Sequence, residues 1–187
     1  RAILPLWVHT LTLDIKGDDE TLIGHAGRRV EHFDQVKRAA MLHGDTRFRL
    51  APPLRKAQGV FDDAFRQVWA AGRGKRRASW TVYADEVRIL ADGKFTSLGA
   101  HLEAVWLTGR SRGVSLIAAS QAPRYVPSAM YEQAQWFGLG RVRDKRALRR
   151  LGEIGGDTDL IAGIVPTLAP YEFLWLGPKD WAAVGKI

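Results

Sequence analysis

The sequence predicts an α/β fold with a largely parallel sheet. Two observations carry that expectation. Short apolar runs of strand length alternate with longer amphipathic stretches along the chain, which is the pattern of strands linked by crossover helices. Three strand-length runs, 8–14, 79–84 and 114–119, each end in or run into polar residues, and in open α/β sheets ligands sit beyond the carboxyl ends of the strands. No internal repeat and no low-complexity tract interrupts the pattern.

Taken in order, Val8–Asp14 reads as the first strand, ended by Lys16-Gly17-Asp18. Arg29–Phe33 and Arg47–Leu50 read as short strands, the second closed by Pro52 and Pro53. Val60–Ala71 reads as a helix, with Phe61, Phe65, Val68 and Trp69 on one stripe. Gly72–Arg77 is a basic turn, and Ser79–Ala84 is a buried strand running into Asp85-Glu86. Leu98–Leu107 is a second amphipathic helix, and Val114–Ala119 is a third buried strand ending in Ser120-Gln121. Pro123 and Pro127 frame a loop before a fourth strand at Trp136–Leu139. Asp144–Leu151 is a short basic helix begun by an Asp N-cap, and Asp157–Ile164 is another helix. Tyr171–Leu176 and Trp181–Val184, joined by Gly177-Pro178-Lys179-Asp180, form a closing hairpin. One domain without a linker is expected over residues 1–187.

The composition bounds the function classes. Hydrophobic residues make up 46% of the 187, as in soluble globular chains. No apolar run approaches the roughly 18 residues of a membrane span. Cysteine is absent, which excludes disulfides and thiolate metal sites and fits a reducing, cytoplasmic setting. The five histidines show no ligand spacing, against structural zinc. The chain opens on Arg1 rather than Met, so further sequence, including any membrane-associating region, is expected upstream. With 28 basic against 20 acidic residues the net charge is +8. That excess suits a partner that is a polyanion, and a genome rich in Arg codons produces the same excess.

The strongest chemical signal is Trp80-Thr81-Val82-Tyr83-Ala84-Asp85-Glu86. A hydrophobic strand that delivers two carboxylates to its carboxyl end has the form of a Walker B element. Asp85 would hold the Mg²⁺ of bound ATP and Glu86 would orient or deprotonate the attacking water. An ordinary acidic turn after a strand has the same letters. Gln121 ends the next strand, and its amide offers a donor and an acceptor together, suited to a γ-phosphate and a water, or to capping a loop. Between the two strands lies Thr108-Gly109-Arg110-Ser111-Arg112-Gly113. An Arg here can stabilise charge on a transferred phosphoryl group, in cis or from a neighbouring subunit, and a solvated turn also carries such residues.

The series Asp14-Ile15-Lys16-Gly17-Asp18, then WTVYADE, then GRSRGVSLIAASQAP, in that order, resembles the FtsK/HerA superfamily of DNA-pumping ATPases, including those of actinobacterial phages and mobile elements. The resemblance spans roughly Val8 to Leu176. Ile15 stands where the family usually has Pro, and Ser120 where it usually has Thr. The resemblance implies a RecA-like P-loop NTPase fold with a mostly parallel sheet flanked by helices and a C-terminal β-hairpin. It implies that Asp85 and Glu86 are the Walker B pair and Gln121 the sensor glutamine. By the same resemblance Arg110 corresponds to a trans-acting finger, with Arg112 the weaker candidate. Asp14 and Lys16 fall beside the nucleotide, and Lys16 is left to meet DNA, nucleotide or Asp18. ATP and Mg²⁺ are the implied cofactors, and a homo-hexamer on double-stranded DNA is the implied assembly.

One departure is large. No G-x-x-x-x-G-K-[ST] run occurs in these residues. Gly72-Arg73-Gly74-Lys75 is not one, because Arg76 follows Lys75 and the run precedes the Asp85 strand. The expectation is a partial domain whose first strand and phosphate loop lie upstream, with Arg1–Leu4 ending the helix after that loop. Such a piece should bind ATP weakly, fail to hydrolyse it, and expose an apolar strand edge.

Two basic clusters offer sequence-independent phosphate contacts. Gly72–Arg77 carries Arg73, Lys75, Arg76 and Arg77, and 141–150 carries six cations in ten residues, among them Lys145, Arg146, Arg149 and Arg150. Either cluster can equally be a subunit interface or a solvated face. Three functions therefore compete: an ATP-driven DNA translocase for transfer, segregation or packaging; a non-catalytic nucleic-acid-binding domain of RecA-like shape; and a secretion-type P-loop ATPase. The seven tryptophans do not separate them.

Overall fold

The computed structural model describes residues 9–17, 27–53, 56–71, 80–92 and 98–186, and of Arg110 the backbone alone. The basic turn with Arg73, Lys75, Arg76 and Arg77, Asp18, and the helical end proposed for Arg1–Leu4 lie outside the described residues. By its internal contacts the chain divides into two compact units, Ala2–Gln121 and Ala122–Ile187.

The first unit is built on five parallel strands: β1 (His9–Leu13), β2 (Arg28–Val30), β3 (Arg47–Leu50), β4 (Trp80–Ala84) and β5 (Val114–Ala118), in the spatial order β2-β3-β1-β4-β5. The expectation that the three runs are parallel neighbours is met. Leu13 pairs with Ala84, and Ala84 with Ala118, so the carboxyl ends of β1, β4 and β5 are level. The two faces of this sheet differ. Leu11, Leu13, Phe48, Leu50, Val82 and Ala84 fall on one face and are fully buried, or nearly so. The other carries buried polar residues, Thr10, Thr12, Thr81 and Arg49. Burial on both faces is what parallel strands require, since helices cover both sides of such sheets.

Among the described residues this unit has four α-helices: α1 (Phe33–His43), α2 (Ala57–Ala71), α3 (Val87–Ala91) and α4 (Leu98–Arg112). Helix α2 buries Phe61, Ala64, Phe65 and Val68, close to the stripe read from the sequence. The strand expected over Arg29–Phe33 ends instead at Val30, and Phe33 opens α1. The reversal has a local cause. The Gln35 side chain accepts from the backbone N–H groups of Glu31 (2.7 Å) and His32 (3.3 Å), satisfying donors ahead of the first turn. Only Phe33, Val36 and Ala39 are buried on α1, while Met41 and Leu42 are exposed, so its periodicity is faint. Helix α4 runs five residues past the expected Leu107. Its last turns hold Gly109, where a Cβ would stand 2.5 Å from the Val114 carbonyl oxygen, so only glycine lets the helix lie this close to β5.

The second unit is an antiparallel sheet in the order β6-β7-β8, with β6 (Phe137–Gly140), β7 (Glu172–Gly177) and β8 (Trp181–Lys186). The expected hairpin is present, its turn carried by positive φ at Lys179 and Asp180. The expected fourth strand joins this sheet, pairing Phe137 with Leu176. Helices α5 (Ser128–Glu132), α6 (Lys145–Gly155) and α7 (Thr158–Ile164) complete the unit. Leu151, Ile161, Val165, Leu168 and Leu174 form its core. The predicted N-cap holds, Asp144 accepting from the Ala147 N–H (2.7 Å), and the structure adds a second at Asp157, which accepts from the Leu160 N–H (2.9 Å). No helix among the described residues is long and apolar enough to cross a membrane.

Tyr131 on α5 gives this unit a measurable signature. Its hydroxyl donates to the Pro123 carbonyl at 2.6 Å. Burial pushes its pKa up from 10.0 to about 12, against the pull of the Arg150 guanidinium over its ring. The native state therefore keeps this proton longer than the unfolded chain. Its stabilising share is full below pH 10.0 and is lost as pH rises toward about 12. Phenolate absorbance should show a titration step near 12 that Tyr131→Phe removes.

Candidate nucleotide site at the carboxyl edge of the parallel sheet

The site is assembled where β1, β4 and β5 end. Beyond β4 the backbone stays zipped to its neighbour: the Ala119 N–H donates to the Ala84 carbonyl (3.0 Å) and the Val87 N–H to the Ala119 carbonyl (2.8 Å). Asp85 and Glu86 sit between these two bonds. Their backbone is thus held from both sides although neither lies in a strand. Glu86 adopts φ 50°, ψ 55°, the left-handed region that a non-glycine residue avoids. Such a conformation costs on the order of 1–3 kcal/mol and persists where its surroundings over-determine it, commonly at functional sites. Nothing in the sequence marks it.

Ser120 and Gln121 follow β5 on the same edge. The Ser120 hydroxyl donates to Glu86 Oε1 at 3.4 Å, a long contact. Gln121 is exposed. Asp85 is mostly buried, its side chain 14% exposed, and Lys16 Nζ lies 3.7 Å from its Oδ2. Lys16 thus meets Asp85 rather than standing free in solvent. Asp14, expected beside the nucleotide, is fully buried with both oxygens engaged. Oδ2 accepts from Arg49 Nη1 (3.0 Å), and Oδ1 accepts from the backbone N–H groups of Lys16 (3.1 Å) and Gly17 (2.8 Å). Its carboxylate therefore shapes the 14–17 turn. Arg49 was not singled out from the sequence. The R-F-R-L alternation of β3 puts Arg47 and Arg49 on one face as an ordinary polar pair, and only the register Thr12 to Arg49 brings Arg49 to the end of β1.

The arginines before β5 are not part of this edge. Residues 109–112, expected as a turn, are the last turn of α4. The Thr108 and Ser111 hydroxyls bond back to the Ala104 and Thr108 carbonyls at 2.7 and 2.8 Å. Arg110 therefore sits at the amino end of β5, a five-residue strand away from Ser120 and Gln121, about 16 Å at the usual rise. The Arg112 guanidinium lies 4.1 Å over the Trp69 ring, tying α4 to α2.

In the second unit the basic run is sorted by its neighbours. Arg149 and Arg150 reach Glu153 at 3.1 and 3.7 Å. Lys145 and Arg146 are exposed, as are Arg141 and Arg143 just ahead of them.

No protein-family model and no curated protein matches the chain. Solved structures do. The genome packaging NTPase B204 from Sulfolobus turreted icosahedral virus 2, in complex with ATP-gammaS, superposes with a TM-score of 0.68 at 16% identity, over 98% of this chain and 83% of that one. The same protein with sulfate gives 0.69 at 14% identity, over 98% and 86%. B204 described as the DNA-packaging ATPase from Sulfolobus turreted icosahedral virus gives 0.66 at 17%, over 98% and 84%. The chain shares its fold with that viral NTPase. Identities this low carry the fold and not the chemistry, which rests on the residues above.

Proposed function

We propose that this chain is the metal- and water-handling part of an ATP-driven DNA-packaging or DNA-translocating motor of FtsK/HerA type. The observation that carries the reading is the convergence of Asp85, Glu86, Ser120 and Gln121 at one level of adjacent parallel strands. A Mg²⁺–ATP complex fits this edge: Asp85 already attracts a cation there, and no second buried cation competes for it among the described residues apart from Arg49, which is committed to Asp14. When bound, the metal neutralises phosphate charge, and Asp85 would hold it. Glu86 orients a water and accepts its proton. Gln121, exposed on the same edge, contacts that water or the terminal phosphate. The likeness to an NTPase solved with ATP-gammaS supports the nucleotide, and its packaging role supports DNA as the load.

The phosphate loop is supplied by sequence outside these 187 residues. Within them no Walker A run exists, and β5 pairs with β4 alone among the described residues. Ser115 on that outer strand is exposed and Leu116 to Ala118 are half-buried, whereas β4 is buried at four of its five positions. A further strand beside β5 would close that edge. The isolated piece is accordingly expected to be poorly soluble and inactive, and a site built by a ring, a homo-hexamer, would receive Arg110 from a neighbour.

Duplex DNA of arbitrary sequence is the proposed partner, met by Arg141, Arg143, Lys145 and Arg146 rather than by Arg149 and Arg150. The second pair shares Glu153. The test is steady-state ATP hydrolysis by the full-length protein with and without duplex DNA. Stimulation by DNA separates a translocase from a secretion ATPase, and absence of any turnover would leave only a binding domain. Lys145→Glu with Arg146→Glu should weaken DNA binding uniformly across sequences and flatten its salt dependence by about two phosphate contacts. Arg149→Glu should do much less.

A further inference from the structure

We infer that Lys16 holds the place of a divalent cation at Asp85 and must be displaced before a metal can settle there. The inference rests on the reading of Asp85 as the metal-holding carboxylate. The geometry begins two residues earlier. Asp14 and Arg49 form an ion pair whose side chains are 0% and 6% exposed. Burying such a pair costs desolvation that the pairing seldom repays in net stability. Its use here is geometric. The second oxygen of Asp14 takes the N–H groups of Lys16 and Gly17, and Gly17 bends the chain at φ 77°. A side chain at that φ would be strained, so glycine is required.

The turn fixes the root of Lys16 and leaves its tip loose. Since β1 and β4 are neighbours with Leu13 opposite Ala84, residues following the two strands adjoin. The ammonium reaches Asp85 Oδ2 at 3.7 Å, an ion-pair distance too long for a hydrogen bond, and Lys16 remains 39% exposed. A long, flexible, solvated cation held at its backbone is a counter-ion that can leave without disturbing the fold. It screens Asp85 when no nucleotide is present. A divalent ion approaching the same oxygen meets like charge until the ammonium swings away. Metal uptake is thereby made dependent on something else that attracts Lys16, and a nucleotide phosphate is the anion the site would receive.

The test is Mn²⁺ binding, read from the free-ion resonance signal, in the full-length protein without nucleotide. Lys16→Met should bind Mn²⁺ about tenfold more tightly than wild type, the lower end of what one neighbouring charge does to a carboxylate's affinity for a proton. Lys16→Arg, which keeps the charge, should stay near wild type. Asp85→Asn in the Lys16→Met background should abolish the gain. If Lys16→Met takes up Mn²⁺ no better than wild type, including no detectable uptake by either, the inference is overturned. A gain that survives Asp85→Asn overturns it as well. Asp85→Asn alone separates the two readings. If it leaves ATP hydrolysis intact, the metal assignment of Asp85 itself fails; if it abolishes hydrolysis while Lys16→Met binds Mn²⁺ like wild type, only the place-holder role fails.

Discussion

Glu86→Gln is expected to lower ATP hydrolysis by the full-length protein about 10²-fold or more while nucleotide binding and assembly persist, since general-base contributions run from about 10² to 10⁴. The amide keeps the volume of the side chain and an oxygen for the Ser120 hydroxyl, 3.4 Å away in the native site. The backbone at φ 50° is held by the Ala119–Ala84 and Val87–Ala119 bonds, none of which involves the Glu86 side chain. What the substitution removes is the negative charge that aligns a water and takes its proton. Binding of a non-hydrolysable analogue should thus be unchanged, and the thermal midpoint should move little. Turnover near wild type would remove Glu86 from catalysis and leave Asp85-Glu86 as an acidic turn after a buried strand.

Much of this arrangement was legible in the residues because central parallel strands have a distinctive physical signature. Trp80–Ala84 and His9–Leu13 are short and abruptly ended by acidic residues, and they are strands whose carboxyl ends lie within a residue of those expected. The cap at Asp144 was legible for a similar reason, a short acceptor placed just ahead of a helical run. Legibility failed where the signal was weak or shared between meanings. Helix α1 buries three residues and exposes Met41 and Leu42, so no stripe stands out. Gly109 reads as a turn residue by composition, yet it is glycine for close packing inside α4.

The site divides along the same line. Residue types suited to metal and water could be read from the strand ends, because chemistry is carried by single letters there. Relations between letters far apart could not. Arg49 finds Asp14 only through the pairing of β3 with β1, and Lys16 finds Asp85 only through the pairing of β1 with β4. Each contact is set by strand order, which hydrophobic periodicity does not encode. The left-handed Glu86 is likewise a product of the two backbone bonds around it.

Arg110→Ala is expected to leave nucleotide binding intact and to reduce turnover about 10³-fold or more, the range of arginine fingers in well-studied NTPases. Arg110 lies on the last turn of α4, before β5 begins at Val114, while Glu86 and Gln121 lie beyond the opposite end of that sheet edge. A side chain at one end of a five-residue strand, about 16 Å long, does not reach the other end of the same strand. It can reach outward into a neighbour. A composite site would then take Glu86 from one subunit and Arg110 from the next. Mixing Arg110→Ala subunits with Glu86→Gln subunits should restore part of the activity that each lacks alone. An Arg110→Ala subunit keeps its own Glu86 and can borrow Arg110 from a Glu86→Gln neighbour. Restoration should rise with the chance that the two kinds adjoin, peaking near equal proportions. If the mixture is no more active than its parts, Arg110 does not act across an interface. If Arg110→Ala instead weakens only DNA affinity, with turnover at saturating DNA preserved, the residue contacts the polyanion and not the nucleotide.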